Sequence, residues 1–152
     1  MRSSDTTSTA SLTRASLTVS ERLEKGLLDT SVVVDLNLLD PGQLPTDVAI
    51  SVITLAELSA GPSATDDVTE RARRQDNLQR VEAVFDPLPF DTEAARAYGR
   101  IYAAVLEKGR KPRRRFADLL IASTALAADL PLVTRNGADF VGLEGLLTIV
   151  EV

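Results

Sequence analysis

Short apolar segments of strand character alternate with longer segments of helical periodicity from residue 26 onward. The predicted strands cover residues 26–29, 48–53, 132–134 and 148–152, and residues 85–90 are predicted as a short edge strand or an extended link because two prolines interrupt them. The predicted helices begin at residue 30 and cover residues 54–60, 66–84, 91–106 and 112–129. Strands that alternate with helices predict an α/β fold with a central, mostly parallel sheet flanked by helices.

The length of 152 residues predicts one domain, and the composition of the N-terminal segment predicts a tail outside it. Residues 1–20 contain eleven Ser or Thr residues and only three charged ones, a composition that buries too little apolar surface to order itself. We therefore expect a disordered extension over residues 1–22 and a folded domain over residues 23–152. The longest uncharged run has ten residues where a membrane span needs about 20, so we expect no membrane span and a cytoplasmic protein.

Two residue types that are absent from the chain limit the catalytic and metal-binding groups it can offer. It has no Cys and no His. Their absence excludes disulfide scaffolds, thiolate zinc sites, cysteine nucleophiles and the Ser-His-Asp triad. The remaining reactive groups are carboxylates, hydroxyls, amides and basic side chains. This inventory favours a hard cation held by oxygen ligands, or no catalysis at all.

Acidic and amide side chains follow three of the predicted strands at their carboxyl ends, where parallel sheets bind their ligands. Asp29 ends the first strand, and Glu57 lies one turn beyond the second. Asn136 and Asp139 follow the next-to-last strand. Asp118 belongs to the most apolar helix, and an acid on a buried helix face must be paired or bind a cation. We expect these side chains to meet at one edge of the sheet.

Four sequence motifs occur in order and with compatible spacing, namely LDTS at residues 28–31, SVITLAEL at 51–58, RFADLLIASTA at 115–125 and LVTRNGADF at 132–140. Together they resemble the PIN-domain ribonucleases, specifically the VapC-type toxins of bacterial toxin–antitoxin pairs. The resemblance covers about residues 26–152. It implies a PIN-like α/β/α sandwich, RNA cleavage that depends on Mg²⁺ or Mn²⁺, a homodimer, and a cognate VapB-like antitoxin that blocks the site.

The acidic positions of this family fall on Asp29, Glu57 and Asp118, which the resemblance implies to be catalytic metal ligands. The fourth position departs from the simplest pattern. Some members have an acid where this chain has Asn136, and others have Asn there with an acid three residues later, as Asp139 is. We expect Asp139 to complete the catalytic and metal-binding set, directly or through water, with Asn136 orienting it. The departure leaves open whether one or two metal ions bind.

Two of these acids have a specific structural alternative. Glu57 would belong to a capping box if its helix began at Thr54, whereas a helix that began at Ser51 would place it a turn too deep for that role. Asp118 could serve the helix dipole, although it stands six residues beyond Pro112, where the dipole effect has faded. For both residues we favour the metal-binding role that the resemblance implies.

Hydroxyl groups next to the proposed ligands come from Thr30, Ser31 and Thr134. We expect these hydroxyls to hydrogen-bond the acids and hold their orientation, while the alternative for each is ordinary helix capping. Capping of the following helix is also the alternative for Asp29. Asp139 could be a plain loop residue.

The formal charge of −5 and the pI near 4.8 argue against an unselective nucleic-acid-binding protein. The basic residues are concentrated, however, because residues 108–115 (KGRKPRRR) contain six of the 17 Lys and Arg residues and no acid. We predict that Arg113, Arg114 and Arg115 bind RNA phosphates, together with Arg135. The alternative for the basic run is a solvated loop and helix start.

Two other classes of function stay open. A PIN-like module without catalytic activity could bind RNA or protein, and the intact acids argue against it without excluding it. An aspartyl-phosphate enzyme would also place an Asp after its first strand. Phosphatases of the haloacid-dehalogenase type have a second Asp where this chain has Ser31, however, and a receiver domain needs an upstream acidic pair and a late Lys that we do not find.

Overall fold

Four parallel strands form the central sheet of the computed structural model, which describes residues 23–152. The strands are β1 (Lys25–Leu28), β2 (Asp47–Ala49), β3 (Leu132–Thr134) and β4 (Ile149–Glu151), and their order in the sheet is β2-β1-β3-β4. All three pairs of neighbouring strands are parallel, which confirms the sheet predicted from the sequence. The extension predicted over residues 1–22 lies outside the described residues.

Helices cover both faces of this sheet. They are α1 (Thr30–Val34), α2 (Val52–Ala60), α3 (Val68–Val84), α4 (Thr92–Glu107) and α5 (Phe116–Ala127). Successive strand residues point to opposite faces, so Leu27 joins the apolar cluster under α4 and α5, and Leu28 joins the cluster under α1, α2 and α3. The predicted α/β/α sandwich is therefore confirmed. Between residues 23 and 152, no helix is long and apolar enough to cross a membrane.

The register of β1 and β3 brings two polar residues together at the carboxyl edge of the sheet. Leu28 is level with Val133, so Asp29 and Thr134 leave the sheet side by side. The N–H of Asp29 donates to the carbonyl of Val133 at 3.0 Å and fixes this register. After β1 the chain forms β2 on one side of it, and it later forms β3 on the other side. Such a reversal of strand order creates the crevice where α/β sheets bind ligands.

The start of α2 differs from the prediction, and the strand before it is shorter than the predicted residues 48–53. Ser51 caps α2, because its hydroxyl accepts a hydrogen bond from the N–H of Thr54 at 3.1 Å and satisfies a free donor of the first turn. Val52 and Ile53, whose β-branched side chains suggested a longer strand, belong to the helix. Leu88 forms a single parallel bridge with Ser51, so residues 85–90 are an extended link with one bridge.

A 3₁₀ turn precedes α5, where one continuous helix over residues 112–129 was predicted. The turn covers Pro112–Arg115, and Arg115 has φ −128° and ψ 37°, values outside the helical region. Asp118 therefore lies in the first turn of α5. The interpretation that Asp118 stands too far along its helix to interact with the dipole is wrong, because the partial positive charge of this N-terminus favours its carboxylate.

We predict that Gly26 in β1 tolerates no side chain. An added Cβ would lie 2.8 Å from Cγ of Pro45 and 2.9 Å from Cγ2 of Val133, and neither group can move freely. Gly26→Ala should lower the free energy of unfolding by about 1–3 kcal/mol, the usual effect of overpacking. Gly99→Ala is the control, because an added Cβ there meets nothing within 4 Å and should stabilise α4 by about 0.5–1 kcal/mol. Urea denaturation measures the free energy of unfolding of both variants. A Gly26→Ala protein as stable as wild type would contradict the close packing around Gly26.

Candidate active site

Asp29 is a buried carboxylate at the carboxyl end of β1, with 4% of its surface exposed. Its Oδ1 accepts hydrogen bonds from the hydroxyl of Ser31 at 2.5 Å and from the N–H of Val32 at 3.2 Å. Its Oδ2 accepts one from the hydroxyl of Thr134 at 2.6 Å. Asp29 is thus the N-cap of α1, as its structural alternative suggested. Because a carboxylate oxygen can accept two bonds, Oδ2 still has room for another ligand.

The two hydroxyls that reach Asp29 are held by the backbone that follows β3. The Ser31 hydroxyl accepts from the N–H of Arg135 at 3.0 Å, and the Thr134 hydroxyl accepts from the N–H of Asn136 at 3.0 Å. A hydroxyl has one proton, so one that accepts from an N–H keeps its proton for the carboxylate. Burial raises the pKa of Asp29, and the bonds from Ser31 and Thr134 oppose that rise by stabilising the ionised form.

Glu57 is an exposed side chain on α2, six residues beyond the Ser51 cap. The capping-box interpretation built on Thr54 is therefore wrong. Oε1 of Glu57 accepts a hydrogen bond from the hydroxyl of Thr30 at 2.5 Å, and this hydroxyl lies 3.1 Å from that of Thr54. Thr30 is the first residue of α1, so it ties Glu57 to the segment that carries Asp29.

Asp118 is half-buried on α5, and the charges of the other three acids act on it. Burial is the largest cause that raises the pKa of its carboxyl to about 6. The negative charges of Asp139, Asp29 and Glu57 also raise this pKa, and the Arg115 guanidinium lowers it. Asp29 follows β1, Glu57 lies on α2, Asp118 lies on α5 and Asp139 lies in the turn after β3, and the charges of the other three acids all reach Asp118.

Asp139 lies in the 3₁₀ turn Gly137–Phe140 that follows β3. Its carboxylate forms an ion pair with Arg115, with Nη1 and Oδ1 2.7 Å apart. Its N–H donates to the carbonyl of Asn136 at 2.9 Å, so Asn136 contacts Asp139 through the backbone. Among the described residues, the Asn136 side chain has no hydrogen-bond partner. Asp139 is therefore held from two sides, unlike a plain loop residue.

The donor set fits a divalent cation in its chemistry, because Mg²⁺ and Mn²⁺ prefer carboxylate oxygens. In the described part of the chain, no group of three or more acidic side chains is arranged so that it could hold an ion as it stands. Glu57 is turned to a threonine hydroxyl, and Asp139 is turned to an arginine. Glu57 is exposed and Asp139 is partly exposed, whereas Asp29 is buried and fixed by its hydrogen bonds. A cation would offset the negative charges that, after burial, raise the pKa of Asp118.

Part of the basic run lies beside the acids. Arg114 and Arg115 line a cavity of about 500 Å³ next to Asp139. Arg110 and Lys111 line the same cavity, and sequence reasoning missed both of them. They belong to the basic run that the sequence displays, but only the fold determines which members of that run face the site.

The other two arginines predicted to bind RNA have different surroundings. Arg113 is not among the cavity's lining residues, and its positive charge acts on Tyr98. Arg135 forms an ion pair with Asp35, with Nη1 and Oδ2 2.8 Å apart. Sequence reasoning missed this pair, because no local signal marks a contact between residues so far apart in the chain.

We predict that Asp118 makes the stability of the protein fall as the pH rises from about 4 to about 6. The folded state holds the Asp118 proton up to a pKa of about 6, while the ordinary pKa of an Asp is 3.8, so the folded state binds more protons than the unfolded state in this range. In EDTA, Asp118→Asn should be more stable than wild type at pH 7.5 by about 1 kcal/mol, allowing for the screening of a half-exposed group.

Urea denaturation at pH 4.0 and pH 7.5 measures this effect as a difference between variant and wild type. The difference should be larger at pH 7.5 than at pH 4.0. The control for the substitution itself is Asp66→Asn, the same change at an exposed loop position. An Asp118→Asn difference that does not change with pH would contradict the electrostatic coupling.

Comparison with known proteins connects this site to a family. Residues 26–144 match the family model of the PIN domain. Ribonuclease VapC5 of Mycobacterium tuberculosis is 39% identical over 127 residues, which cover 82% of this chain and 91% of that protein. Ribonuclease VapC of Rickettsia bellii is 30% identical over 123 residues, which cover 75% of this chain and 87% of that protein.

A solved structure is similar as well. A chain from the VapBC-5 toxin–antitoxin system of Mycobacterium tuberculosis superposes with a TM-score of 0.75 at 38% sequence identity, over 85% of this chain and 99% of that chain. The residues that match the family model run from β1 to beyond β3 and include all five helices. This chain belongs to the PIN-domain family, in the VapC-type group that its sequence motifs indicated.

Proposed function

We propose that this protein is a ribonuclease that depends on a divalent metal ion, Mg²⁺ or Mn²⁺, and acts as the toxin of a toxin–antitoxin pair. The relatives are named ribonucleases, and the similar solved structure comes from a toxin–antitoxin system. The observation that carries the proposal is the half-buried carboxyl of Asp118, whose pKa is raised by burial and by the charges of three further acids, Asp139, Asp29 and Glu57. The proposal includes a cytoplasmic location, where the protein would meet its RNA substrate.

The proposed catalytic and metal-binding set is Asp29, Glu57, Asp118 and Asp139. When bound there, Mg²⁺ or Mn²⁺ supplies a water of lowered pKa and neutralises charge on the phosphate under attack. Asp29 provides a fixed carboxylate, because its hydrogen bonds leave it a single orientation. To complete the set, Glu57 and Asp139 would have to turn from Thr30 and Arg115. Ser31 and Thr134 hold Asp29 in place, Thr30 binds Glu57, and the backbone carbonyl of Asn136 accepts from the N–H of Asp139.

The proposed RNA-binding residues are Arg113, Arg114, Arg115 and Arg135, since guanidinium groups bind phosphate oxygens with two parallel hydrogen bonds. Arg115 has a second property, because its guanidinium pairs with Asp139 at 2.7 Å. If Asp139 held the cation instead, the Arg115 guanidinium would be free to bind a phosphate oxygen of the RNA.

The proposal includes a cognate VapB-like antitoxin that blocks the site, and a homodimer. The antitoxin is supported by the similar structure, which comes from a toxin–antitoxin system. The homodimer follows from the family resemblance and stays a prediction.

A PIN-like module without catalytic activity, binding RNA or protein, is the second candidate. One observation favours it, since no three acids of the described residues are arranged to hold an ion as they stand. A ribonuclease should lose both Mn²⁺ binding and RNA cleavage when the Asp29 carboxylate is replaced, whereas the inactive module should not cleave RNA at all.

We predict that the protein cleaves purified total RNA in Mn²⁺ and that cleavage stops in EDTA. Asp29→Asn should reduce the rate at least about 100-fold, because the metal ion and its ligands contribute several kcal/mol to catalysis. Asp66→Asn, the same change at an exposed loop position, should cleave as wild type does. Cleavage that persists in EDTA or in Asp29→Asn would refute the proposal, and Mn²⁺ binding without cleavage would favour the inactive module.

We also predict that Arg115→Gln tightens the binding of Mn²⁺. Arg115 competes with the ion for Asp139, and an ion pair with this exposure is worth at most about 1 kcal/mol, so the dissociation constant should fall by up to about fivefold. Calorimetric titration measures it directly. The control is Arg100→Gln, at an exposed position of α4 outside the site, which should leave the constant unchanged. Weaker Mn²⁺ binding by Arg115→Gln would contradict the competition.

A further inference from the structure

A cavity of about 500 Å³ opens between the loop that joins α4 to α5 and the turn that follows β3. Its volume lies within the range of about 300–1,000 Å³ that is usual for small-ligand sites. Asp139, one of the four acids, and Arg115, which forms an ion pair with it, both line this cavity. The cavity is therefore next to the place where the cleaved phosphate would bind.

The charges along the cavity suit an anion. Arg115 is paired with Asp139, and Arg110 donates from Nη1 to the carbonyl of Ala138 at 3.0 Å. The side chains of Lys111 and Arg114 have no hydrogen bond or ion pair within residues 23–152. Two positive charges are thus available for a ligand, although the protein as a whole carries a formal charge of −5.

The two walls of the cavity are held against each other. Arg110 joins them through its bond to the turn after β3. Gly142 lies so close to the opposite loop that a Cβ added to it would be 2.6 Å from Cγ of Lys108. Gly109 ends α4 with φ +72°, a conformation that favours glycine, and directs the loop toward the turn. A site with fixed walls loses little freedom when a ligand binds.

An apolar surface lies beside the charges. Val105 and Leu119 are buried and form the bottom of the cavity, and Val141 lines it while 45% of its surface stays exposed. A site for phosphate alone needs no apolar wall. A nucleotide has a phosphate, a ribose and an aromatic base, and base and ribose gain from contact with apolar side chains.

We propose that this cavity is the subsite for a nucleotide adjacent to the cleaved bond, with its phosphate on Lys111 and Arg114 and its base and ribose against Val141. This proposal rests on the proposed function, because it assigns the neighbouring part of the same RNA substrate. It separates the basic run into members that contact the RNA within the cavity and members, such as Arg113, that would contact it outside the cavity.

The test measures binding without cleavage. The full chain carrying Asp29→Asn is titrated in EDTA against a short, labelled, mixed-sequence single-stranded RNA, followed by fluorescence anisotropy. Arg114→Gln and Lys111→Gln should each weaken binding about fivefold, and each should lower the salt dependence by about 0.7, the value for one phosphate contact on a single strand. Val141→Ala should weaken binding without changing the salt dependence. Melting temperatures identify any variant that does not fold.

Two further arginines provide the controls. Arg100→Gln, on the exposed surface of α4, should bind as the parent does. Arg113→Gln should weaken binding less than Arg114→Gln, because Arg113 does not line the cavity. Equal effects of Arg113 and Arg114, or a parent-like affinity in both Lys111→Gln and Arg114→Gln, would overturn the subsite. If metal-dependent cleavage by wild type persists in that case, the proposed function stands and only the subsite is wrong.

A competition experiment separates a nucleotide from a bare phosphate. At matched ionic strength, an equimolar mixture of the four nucleoside 5′-monophosphates should displace the labelled RNA at lower concentration than inorganic phosphate does. Val141→Ala should reduce this advantage. Equal displacement by phosphate and nucleotides would overturn the assignment of the apolar wall to base and ribose.

Discussion

Repulsion among four carboxylates at one edge of the sheet is the constraint on which the arrangement of the site depends. Two carboxylates 4 Å apart repel by about 4 kcal/mol at an effective dielectric constant near 20, so each acid needs a compensating partner. Asp29 has two hydroxyls and an N–H, Glu57 has a threonine hydroxyl, and Asp139 has a guanidinium. Asp118 has no hydrogen bond among the described residues and instead has a raised pKa. Asp118 is therefore the acid whose charge is least compensated, and a cation bound as proposed would favour its ionised form.

The parallel sheet explains why these acids meet. β1 lies between β2 and β3, and the pairing of Leu28 with Val133 places Asp29 beside Thr134. Backbone N–H groups of the loop after β3 then hold the hydroxyls of Ser31 and Thr134, which donate to Asp29. The same contacts that fix the register of the sheet therefore also orient the carboxylate of Asp29, a member of the proposed site. Stability and the proposed function are therefore coupled at Asp29 and Thr134, because these residues both join β1 to β3 and belong to the proposed site.

Much of the fold and of the candidate site could be predicted from the sequence, because both depend on local signals. Apolar periodicity predicts the strands and helices, and polar residues at strand ends predict the acidic edge. The start of α2 was misplaced because Val52 and Ile53 favour a strand locally, while the hydroxyl of Ser51 provides a helix cap. The 3₁₀ turn before α5 was missed because Pro112 starts either kind of helix.

Contacts between distant segments could not be predicted in this way. Arg115 and Asp139 meet only because α5 packs beside the turn after β3, and Arg110 reaches Ala138 for the same reason. The sequence shows that a basic run exists, but only the folded structure determines which of its members line the cavity.

The most direct test of the account is the titration of the Asp118 carboxyl, followed by carbon-13 NMR with and without Mg²⁺. Without the ion, the account predicts a pKa of about 6 that falls when Asp29 is replaced by Asn, since the charge of Asp29 contributes to the rise. With the ion, the pKa should fall below its ordinary value, because a cation favours the ionised form. An ordinary Asp pKa that responds neither to Mg²⁺ nor to Asp29→Asn would contradict the claim that these carboxylates form one metal-binding unit.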